Sequence, residues 1–569
     1  MPTPAPHRYA SIAHALACGA VLVALAAVPG PLAIAADGPD VGSHLRARLA
    51  EVATPDSHAS APSSRTDVLQ DLYAGRAFAP LWSTPSGPTP QAIALLDILA
   101  AANSYGLRPG DYSDVATSIP GTGGRDSGGD ADWRACFDVA LSSVALKFVT
   151  DVHYGRVDPG AAGFHIGATR VPLDAAGVLK RLAASDDVAQ VITSVEPQFF
   201  HYTLLKQTLA RYRQLAARSD LPKLAQLPPR PVKPGDPFPD AAAVRQLLVV
   251  LGDLRADDPA VDGEPRLDGA LVSGLKRFQA RHGLTTDGGL GLTTYEALTV
   301  PLAARVRQIE LSLERWRWLP PFDSPPIIVN IPQFRLFAFQ STTDRAAGLL
   351  QMDVIVGKAF PHTRTPVFTE DMRYVIFRPY WDVPRSITEH EELARIRSNP
   401  AYLEKQQLEI VAGPDDSATA LPPTAENLDA LAAGELRLRQ RPGPENALGL
   451  VKFMLPNAYN VYLHSTPAHR LFGESRRAFS HGCIRVSDPV ALAAYVLRDT
   501  PGNWTPAAIE AAMNGAQPQQ VKLAKPIRVM ILYTTALATE AGPVLFFDDI
   551  YGYDRKLEGL LGLASVAAP

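Results

Sequence analysis

Apolar side chains recur every three to four positions along this chain as far as Trp318, and every second position from Ile327 onward. A helix presents one face every 3.6 residues and a strand every two, so a single polymer is committed to two kinds of layer. The early part contains helical runs such as 92–99 and 140–152. A helix expected over 305–318 lines up Val306, Ile309, Leu313 and Trp316, with its arginines and glutamates on a solvated face. The later part opens with 327–331 and 334–339 around Pro332-Gln333, which reads as a hairpin. Met352, Val354 and Val356 then alternate. Residues 451–455 and 461–463 flank Pro456-Asn457 as a second hairpin, and 528–534 with 544–550 closes the series around Ala541-Gly542. The expected fold class is multidomain α+β.

At 569 residues the chain is too long for one ordinary core. Hydrophobic residues at 46% and charged residues at 20% are those of a globular protein. A formal charge of −4 gives no bulk attraction to nucleic acid or anionic lipid. Residues 1–36 read as a signal peptide: His7 and Arg8 precede an apolar stretch over 12–28, Pro29-Gly30-Pro31 breaks it, and Ala33-Ile34-Ala35 offers a small-x-small cleavage site. The same stretch is nearly long enough to be retained as an anchor; no later segment could span a membrane. A polar flexible link over 37–65 leads into a helical domain over 66–236, which ends in the proline-rich linker 228–235. The glycine-rich loop Gly121-Thr122-Gly123-Gly124 lacks the Lys-Ser/Thr of a phosphate cradle.

Residues 237–302 read as a compact three-helix unit. Asp240 is expected to cap the first helix, whose Val244, Leu247, Leu248 and Leu251 share a face. Asp268 caps the second, which carries Leu271, Leu275 and Phe278 and stops at Gly283; Thr293 with Glu296 makes a capping box for the third. A connecting helix over 303–326 leads to a β-rich domain over 327–553, followed by a tail over 554–569. Residues 386–442 interrupt the β pattern with helix-formers and loops, either as a lid or as an ornament. His390 within Glu389-His390-Glu391-Glu392 lacks the paired histidines of a zinc helix and reads as surface charge. No metal and no cofactor is expected.

Three cysteines are present. Cys18 would leave with the signal and Cys136 sits in a helical run suited to core packing, so Cys483 is the thiol that needs a role. A free thiol, with a pKa of about 8.5, is mostly protonated at neutral pH and needs a base to become a nucleophile. His464 ends a strand over 459–464, and a hairpin-like return is expected to bring it beside Ser480-His481-Gly482-Cys483-Ile484-Arg485. Backbone N–H groups around Gly482 and Cys483 would face a developing oxyanion. Asp488-Pro489 starts a helix behind them. His469, in the intervening loop, is a rival base.

His464, fifteen intervening residues and then Ser480-His481-Gly482-Cys483 resemble the signature of the L,D-transpeptidase catalytic domain (YkuD type). Val461-Tyr462-Leu463-His464-Ser465-Thr466-Pro467, Leu471-Phe472, Arg477, Tyr380-Trp381-Asp382-Val383-Pro384 and Asp549-Ile550-Tyr551-Gly552 extend the likeness. Phe278-Gln279, His282-Gly283-Leu284 and Asp287-Gly288 resemble the peptidoglycan-binding module found beside wall enzymes; a structural spacer is the other reading. The whole is similar to the large Gram-negative subgroup with a helical scaffold domain and an insertion. Many family members carry asparagine two places after the cysteine, where Arg485 stands here, as in that subgroup.

The resemblance implies a β-sandwich-like catalytic domain with an inserted lid, working in the periplasm. It implies ping-pong acyl transfer with Cys483 as nucleophile and His464 as general base. His481 and Gly482 would shape the acceptor side or oxyanion region, and Ser480, Arg477, Arg485 and Tyr462 would contact substrate. Either arginine could hold a stem carboxylate or be a structural ion pair. The partners implied are peptidoglycan stem peptides, a tetrapeptide donor and a diaminopimelate amine acceptor. A carbapenem would acylate Cys483. Two alternatives stay open: a carboxypeptidase or amidase using the same pair, and a non-enzymatic wall-binding scaffold. The intact set of His464, Ser480, His481, Gly482 and Cys483 argues against the second.

Overall fold

The structure, a computed structural model, describes residues 40–51, 65–113, 131–167, 171–226, 230–258, 264–341, 350–360, 362–540 and 542–564. The expected signal peptide with Cys18, the glycine-rich loop 121–124, residues 52–64 of the expected link and part of the proline-rich linker lie outside them. The chain divides into Met1–Asp40 and Val41–Pro569, and every element below belongs to the second unit. Among the described residues no helix is long and apolar enough to cross a membrane.

Helix α1 (Val41–Glu51) buries Leu45 and Leu49 against α2 (Ala131–Tyr154), so part of the segment expected as a flexible link is a docked helix. The long α2 is apolar on several sides and is enclosed accordingly, with Phe137, Leu141, Ala145, Phe148 and Val152 in the helical core. Asp138 survives inside it because Trp82 N–H (2.9 Å), Ser83 Oγ (2.5 Å) and the Leu81 N–H all donate to its carboxylate. Cys136 is a free thiol on the same helix, half-buried at the edge of the core. Helix α3 (Phe200–Ala216) buries Leu205 and Leu209 in a separate cluster with Ile309 and Leu313.

Helices α4 (Ala241–Leu251), α5 (Gly269–Arg281) and α6 (Leu292–Thr299) enclose Val244, Leu248, Leu271, Leu275, Phe278 and Leu290. Asp268 caps α5 by accepting the Leu271 N–H at 2.7 Å. The other two expected caps do not form. Asp240 spends its carboxylate on the Ala225 N–H (2.9 Å), and α6 starts after Gly291, which leaves Thr293 inside the first turn where it cannot act as a cap. Buried Gln279 bonds Asp287 (2.8 Å), the Gly289 carbonyl (2.9 Å) and the Gly288 N–H (2.8 Å), so the Phe-Gln…Asp-Gly string is the unit's internal polar tie.

Strands β1 (Phe164–His165), β2 (Ile327–Asn330), β3 (Arg335–Ala338), β4 (Leu350–Gly357), β5 (Val367–Phe377), β6 (Val451–Met454), β7 (Leu463–His464), β8 (Ala478–Ser480), β9 (Ile484–Val486) and β10 (Gln519–Leu532) form a ten-stranded sheet. Its order is β6-β7-β9-β4-β3-β2-β10-β5-β1, with β8 beside β4. Because β5 also pairs with β6, the sheet closes on itself around Val329, Leu336, Val354, Val375, Phe453, Leu463, Ile484 and Ile531. The hairpin of β2 and β3 forms with Ile328 opposite Phe337. The expected pairing of 528–534 with 544–550 does not: β10 lies between β2 and β5, and only Ala536–Leu537 pairs with Leu545–Phe546. Strand β1 comes from the helical region and pairs with β5, so the two regions share one sheet.

Helix α7 (Leu302–Arg317) joins the regions. Its Glu314 accepts the backbone N–H groups of Arg156 and Val157, and its Arg315 pairs at 2.5 Å with Asp554 of the helix Tyr553–Leu560. The segment expected as a free tail therefore begins as a docked helix with Leu557 buried. Asp554 also accepts from the Thr535 hydroxyl at 2.6 Å. Asp554→Ala would leave Arg315, whose side chain is 5% exposed, without its counter-charge. The expected loss is about 3–5 kcal/mol in denaturant unfolding; a loss under about 1 kcal/mol would mean that water reaches the guanidinium.

The inserted segment has its own core of Val383, Ile396, Leu403, Ile410, Leu431 and Leu438. It also has its own antiparallel sheet, ordered Ala420–Leu421, Leu408–Val411, Arg437–Gln440, Trp381–Asp382. The separate fold thus begins at Trp381, slightly before the boundary read from composition.

Candidate active site

The connection from His464 to Cys483 is a crossover, not a hairpin-like return: β7 and β9 run parallel, with Leu463 opposite Ile484 and His464 opposite Arg485. A long link is what parallel strands require; here it passes through a 3-10 turn at His469–Gly473 and through β8. The parallel register has a chemical consequence. One step back along it, Tyr462 faces Cys483, since the Ile484 N–H donates to the Tyr462 carbonyl at 3.0 Å. Side chains alternate with period two, so Tyr462, His464, Cys483 and Arg485 share one face. Lys452 of β6, opposite His464, joins them. Cys483 and His464 are diagonal neighbours, an arrangement in which Cα atoms stand roughly 7–8 Å apart and side chains can meet.

Two local devices set this face. Before β7, Asn457 ties the turn: its Nδ2 donates to the Leu455 (2.5 Å) and Val461 (2.7 Å) carbonyls, and its Oδ1 accepts the Tyr459 N–H at 2.9 Å. Asn460 then adopts φ +54°, and its carbonyl lies 3.7 Å from Cys483 Sγ as the thiol's hydrogen-bond acceptor. Before β9, Gly482 adopts φ +124°, a conformation that side-chain-bearing residues avoid. Ser480 is only 2% exposed; its hydroxyl donates to the Cys483 carbonyl (2.5 Å) and accepts the Gly482 N–H (3.1 Å). Expected as a substrate contact, Ser480 is instead spent on the shape of the loop. The Gly482 carbonyl accepts from Thr365 Oγ1 at 2.8 Å, and the Thr365 N–H donates to the Tyr551 hydroxyl at 3.2 Å, so the Asp549-Ile550-Tyr551-Gly552 motif buttresses the loop from behind.

Electrostatics separate the two expected partners from an ordinary thiolate–imidazolium pair. Burial pushes the Cys483 thiol up, opposed by hydrogen bonds from Tyr462 and by the nearby charges of Lys452 and Arg485. Burial and the Arg485 guanidinium push His464 down to about 3. Its Nδ1 lies 2.5 Å from the Ser465 carbonyl, which can only accept, so this contact favours the hydrogen on Nδ1; the Leu448 carbonyl is a second backbone acceptor for the ring. Lys452, lowered by burial, sits 3.9 Å over the Tyr462 ring, and that ring meets His464 edge-on at 5.8 Å.

The two arginines part company. Arg477 Nη2 pairs with Asp353 at 2.9 Å, and its guanidinium also donates to the Phe334, Val354 and Glu474 carbonyls, which makes it a structural tie. Arg485 makes no salt bridge among the described residues, and its buried Nε has no partner. Lys452 likewise pairs with no carboxylate among them. The face thus presents two cations without a close ion pair among the described residues, Lys452 feeling Asp382 and Asp416 only at a distance, beside a thiol and a neutral imidazole. His469 stands exposed in its 3-10 turn on the crossover between β7 and β8. His481 projects to the rim, where its Nε2 lies 2.8 Å from Glu391 Oε1 of the inserted segment. Lys452 and Glu391 were not singled out in the sequence; the only signal for Lys452 is a charged residue inside the apolar strand Val451-Lys452-Phe453-Met454. Among the described residues no group of three or more His, Cys, Asp or Glu is placed to hold a metal ion.

Residues 325–505, which contain every member of this face, match the L,D-transpeptidase catalytic domain family. Over that segment the chain is similar to the L,D-transpeptidase catalytic domain. Residues 67–209, the helical region, match the family described as the scaffold domain. A curated protein of Haemophilus influenzae named "Putative L,D-transpeptidase" is 30% identical over 256 residues, which is 44% of this chain and 49% of that protein. The chain therefore spans about half the length of the curated relative it matches. Strand β10 lies beyond the matched catalytic segment yet supplies the neighbour of both β2 and β5, so the domain's sheet is finished by residues outside the family match.

Proposed function

We propose that this protein forms cross-links between peptidoglycan stem peptides by acyl transfer through a thioester on Cys483. The observation that carries this reading is the shared face of Cys483, His464, Lys452 and Arg485 within a segment that matches the catalytic domain of this family. Cys483 Sγ attacks the carbonyl that joins diaminopimelate to the terminal D-alanine of a tetrapeptide stem. The thiol proton passes to His464 Nε2 as the S–C bond forms; the Ser465 carbonyl holds the other nitrogen and stabilises the imidazolium. His464 then protonates the departing D-alanine amine. The Gly482 N–H is occupied by Ser480, so oxyanion stabilisation falls to the Cys483 N–H and the Tyr462 hydroxyl. Arg485 and Lys452 hold the carboxylates of the stem, which is rich in them. An amine of a second stem displaces the thiolate. Export to the periplasm follows from the signal expected in residues 1–36.

The test incubates the purified chain with diaminopimelate-containing tetrapeptide muropeptides and reads products by mass spectrometry. Dimers lacking one D-alanine are expected, and a carbapenem should leave a covalent adduct on Cys483. Tripeptides alone would reassign the chain as a carboxypeptidase. No change with either reagent would defeat the reading.

A further inference from the structure

We propose that Glu391 and His481 form the acceptor-side base of the reaction: Glu391 is a positioning residue, supplied by the inserted segment, that holds His481 to take a proton from the attacking amine, and the pair thereby favours an amine over water as acyl acceptor. This rests on the thioester reading above. The geometry is direct. Glu391 Oε1 lies 2.8 Å from His481 Nε2 although the residues are ninety positions apart, and His481 stands two residues before the nucleophile. With Nε2–H donated to the carboxylate, Nδ1 keeps its lone pair and has no partner among the described residues.

His390 alone read as surface charge, but the members of the run Glu389-His390-Glu391-Glu392 do different things. Glu389 pairs with Arg385 (2.5 Å), Glu392 pairs with Arg395 (2.9 Å), and His390 Nδ1 lies 2.8 Å from the Ser386 carbonyl. All three contacts stay inside the insertion. Glu391 alone among them reaches the catalytic loop. The turn that carries it, Thr388–Glu392, is π-helical, a distortion that often marks functional positions because it re-aims side chains relative to a regular helix.

Proton accounting supplies the need. The acceptor amine arrives protonated, since an alkylammonium has a pKa near 10. Its nitrogen forms the new C–N bond to the thioester carbonyl while the C–S bond breaks and its electron pair goes to Sγ. The nitrogen passes from three hydrogens to one. One proton restores the Cys483 thiol through His464, and the second needs another base. His481 fills that place. Its side chain is 36% exposed and that of Glu391 39%, so the pair can return the proton to solvent. A water acceptor must give up only one proton in the step and gains little from the second base.

The test uses the full chain with the isosteric Glu391→Gln variant, a tetrapeptide donor and a diaminopimelate-containing acceptor. Carbapenem acylation of Cys483 should stay within twofold of the parent, because His464 serves that step. The dimer-to-tripeptide ratio should fall at least tenfold, with Glu391→Asp recovering part of it. His481→Gln should give a similar fall, and the double variant should add little to either single one. An unchanged ratio, or acylation and dimer formation falling together, would overturn the proposal by reducing the contact to a structural one. A parent chain that neither releases D-alanine nor takes up a carbapenem would instead remove the thioester reading on which this one stands.

Discussion

Cys483→Ala should abolish release of D-alanine from tetrapeptide stems, formation of dimers and formation of tripeptides, leaving no measurable turnover. Every step in the proposed route passes through the bond between Sγ and the donor carbonyl, and the hydroxyl in the same loop, that of Ser480, is buried and committed to the Cys483 carbonyl. The protein itself should remain folded. The residue is only half-buried and the thiol's hydrogen bond to the Asn460 carbonyl is long, 3.7 Å, so the stability change should stay within about 1 kcal/mol. Removing the base should be less absolute. His464→Ala deletes general-base assistance, worth about 10²–10⁴ in rate, while Lys452 and Arg485 remain to favour the thiolate. Mass spectrometry of the products and a thermal melt separate the two effects. Substantial D-alanine release by the alanine variant of Cys483 would place the chemistry elsewhere.

The parts of this site that were legible in the sequence are those that residue chemistry and short-range pattern control. A thiol two places after a histidine, a glycine between them, and the Asp488-Pro489 start of the helix Pro489–Leu497 are local facts, and Asp488 does cap that helix by accepting the Ala491 N–H at 2.9 Å. Strand direction is not local. Period-two alternation is identical in parallel and antiparallel strands, so nothing near His464 announced that β7 and β9 run the same way. That direction is what puts Tyr462, His464, Cys483 and Arg485 on one face. Side-chain partners at long range were equally hidden. Arg477 and Arg485 look alike on paper, and only the fold places Asp353 beside the first and no carboxylate beside the second.

Failures at caps have a different cause. Asp240 and Thr293 are good capping residues in isolation, but a competing donor at Ala225 claimed the first, and the start of α6 at Leu292 left the second within the helix. Burial also reversed two assignments at the ends. Leu45 and Leu49 draw α1 onto the helical core despite the polar composition around them, and Leu557 with Asp554 docks the C-terminal helix. Two or three well-placed apolar residues sufficed where mean composition pointed to a loose segment. Glu391 belongs with these cases: its role depends on which of four adjacent charged residues a π-helical turn directs outward.

Alkylation of Cys483 by a small reagent such as iodoacetamide should accelerate roughly tenfold for each pH unit from about pH 6 to 8, about a hundredfold in all. The thiolate is the reacting form, and burial raises the Cys483 pKa above its ordinary value despite Tyr462, Lys452 and Arg485. Below that pKa the thiolate fraction therefore grows tenfold per unit. His464 adds no second feature in this range: at about 3 its imidazole is neutral throughout, so no imidazolium is available to trap the thiolate at mildly acid pH. A thiolate–imidazolium pair would behave oppositely, with a rate that levels off across pH 5 to 7. Such a plateau would show that the resting site is already charge-separated, and the account of His464 as a neutral acceptor would fall. If the steep rise is found, the thiol rests protonated, as the proposed route requires, with proton transfer to Nε2 accompanying attack. The Arg485→Gln variant then sharpens the point. Without the guanidinium, which lowers both the thiol and the imidazole pKa, the midpoint of the alkylation profile should move to higher pH.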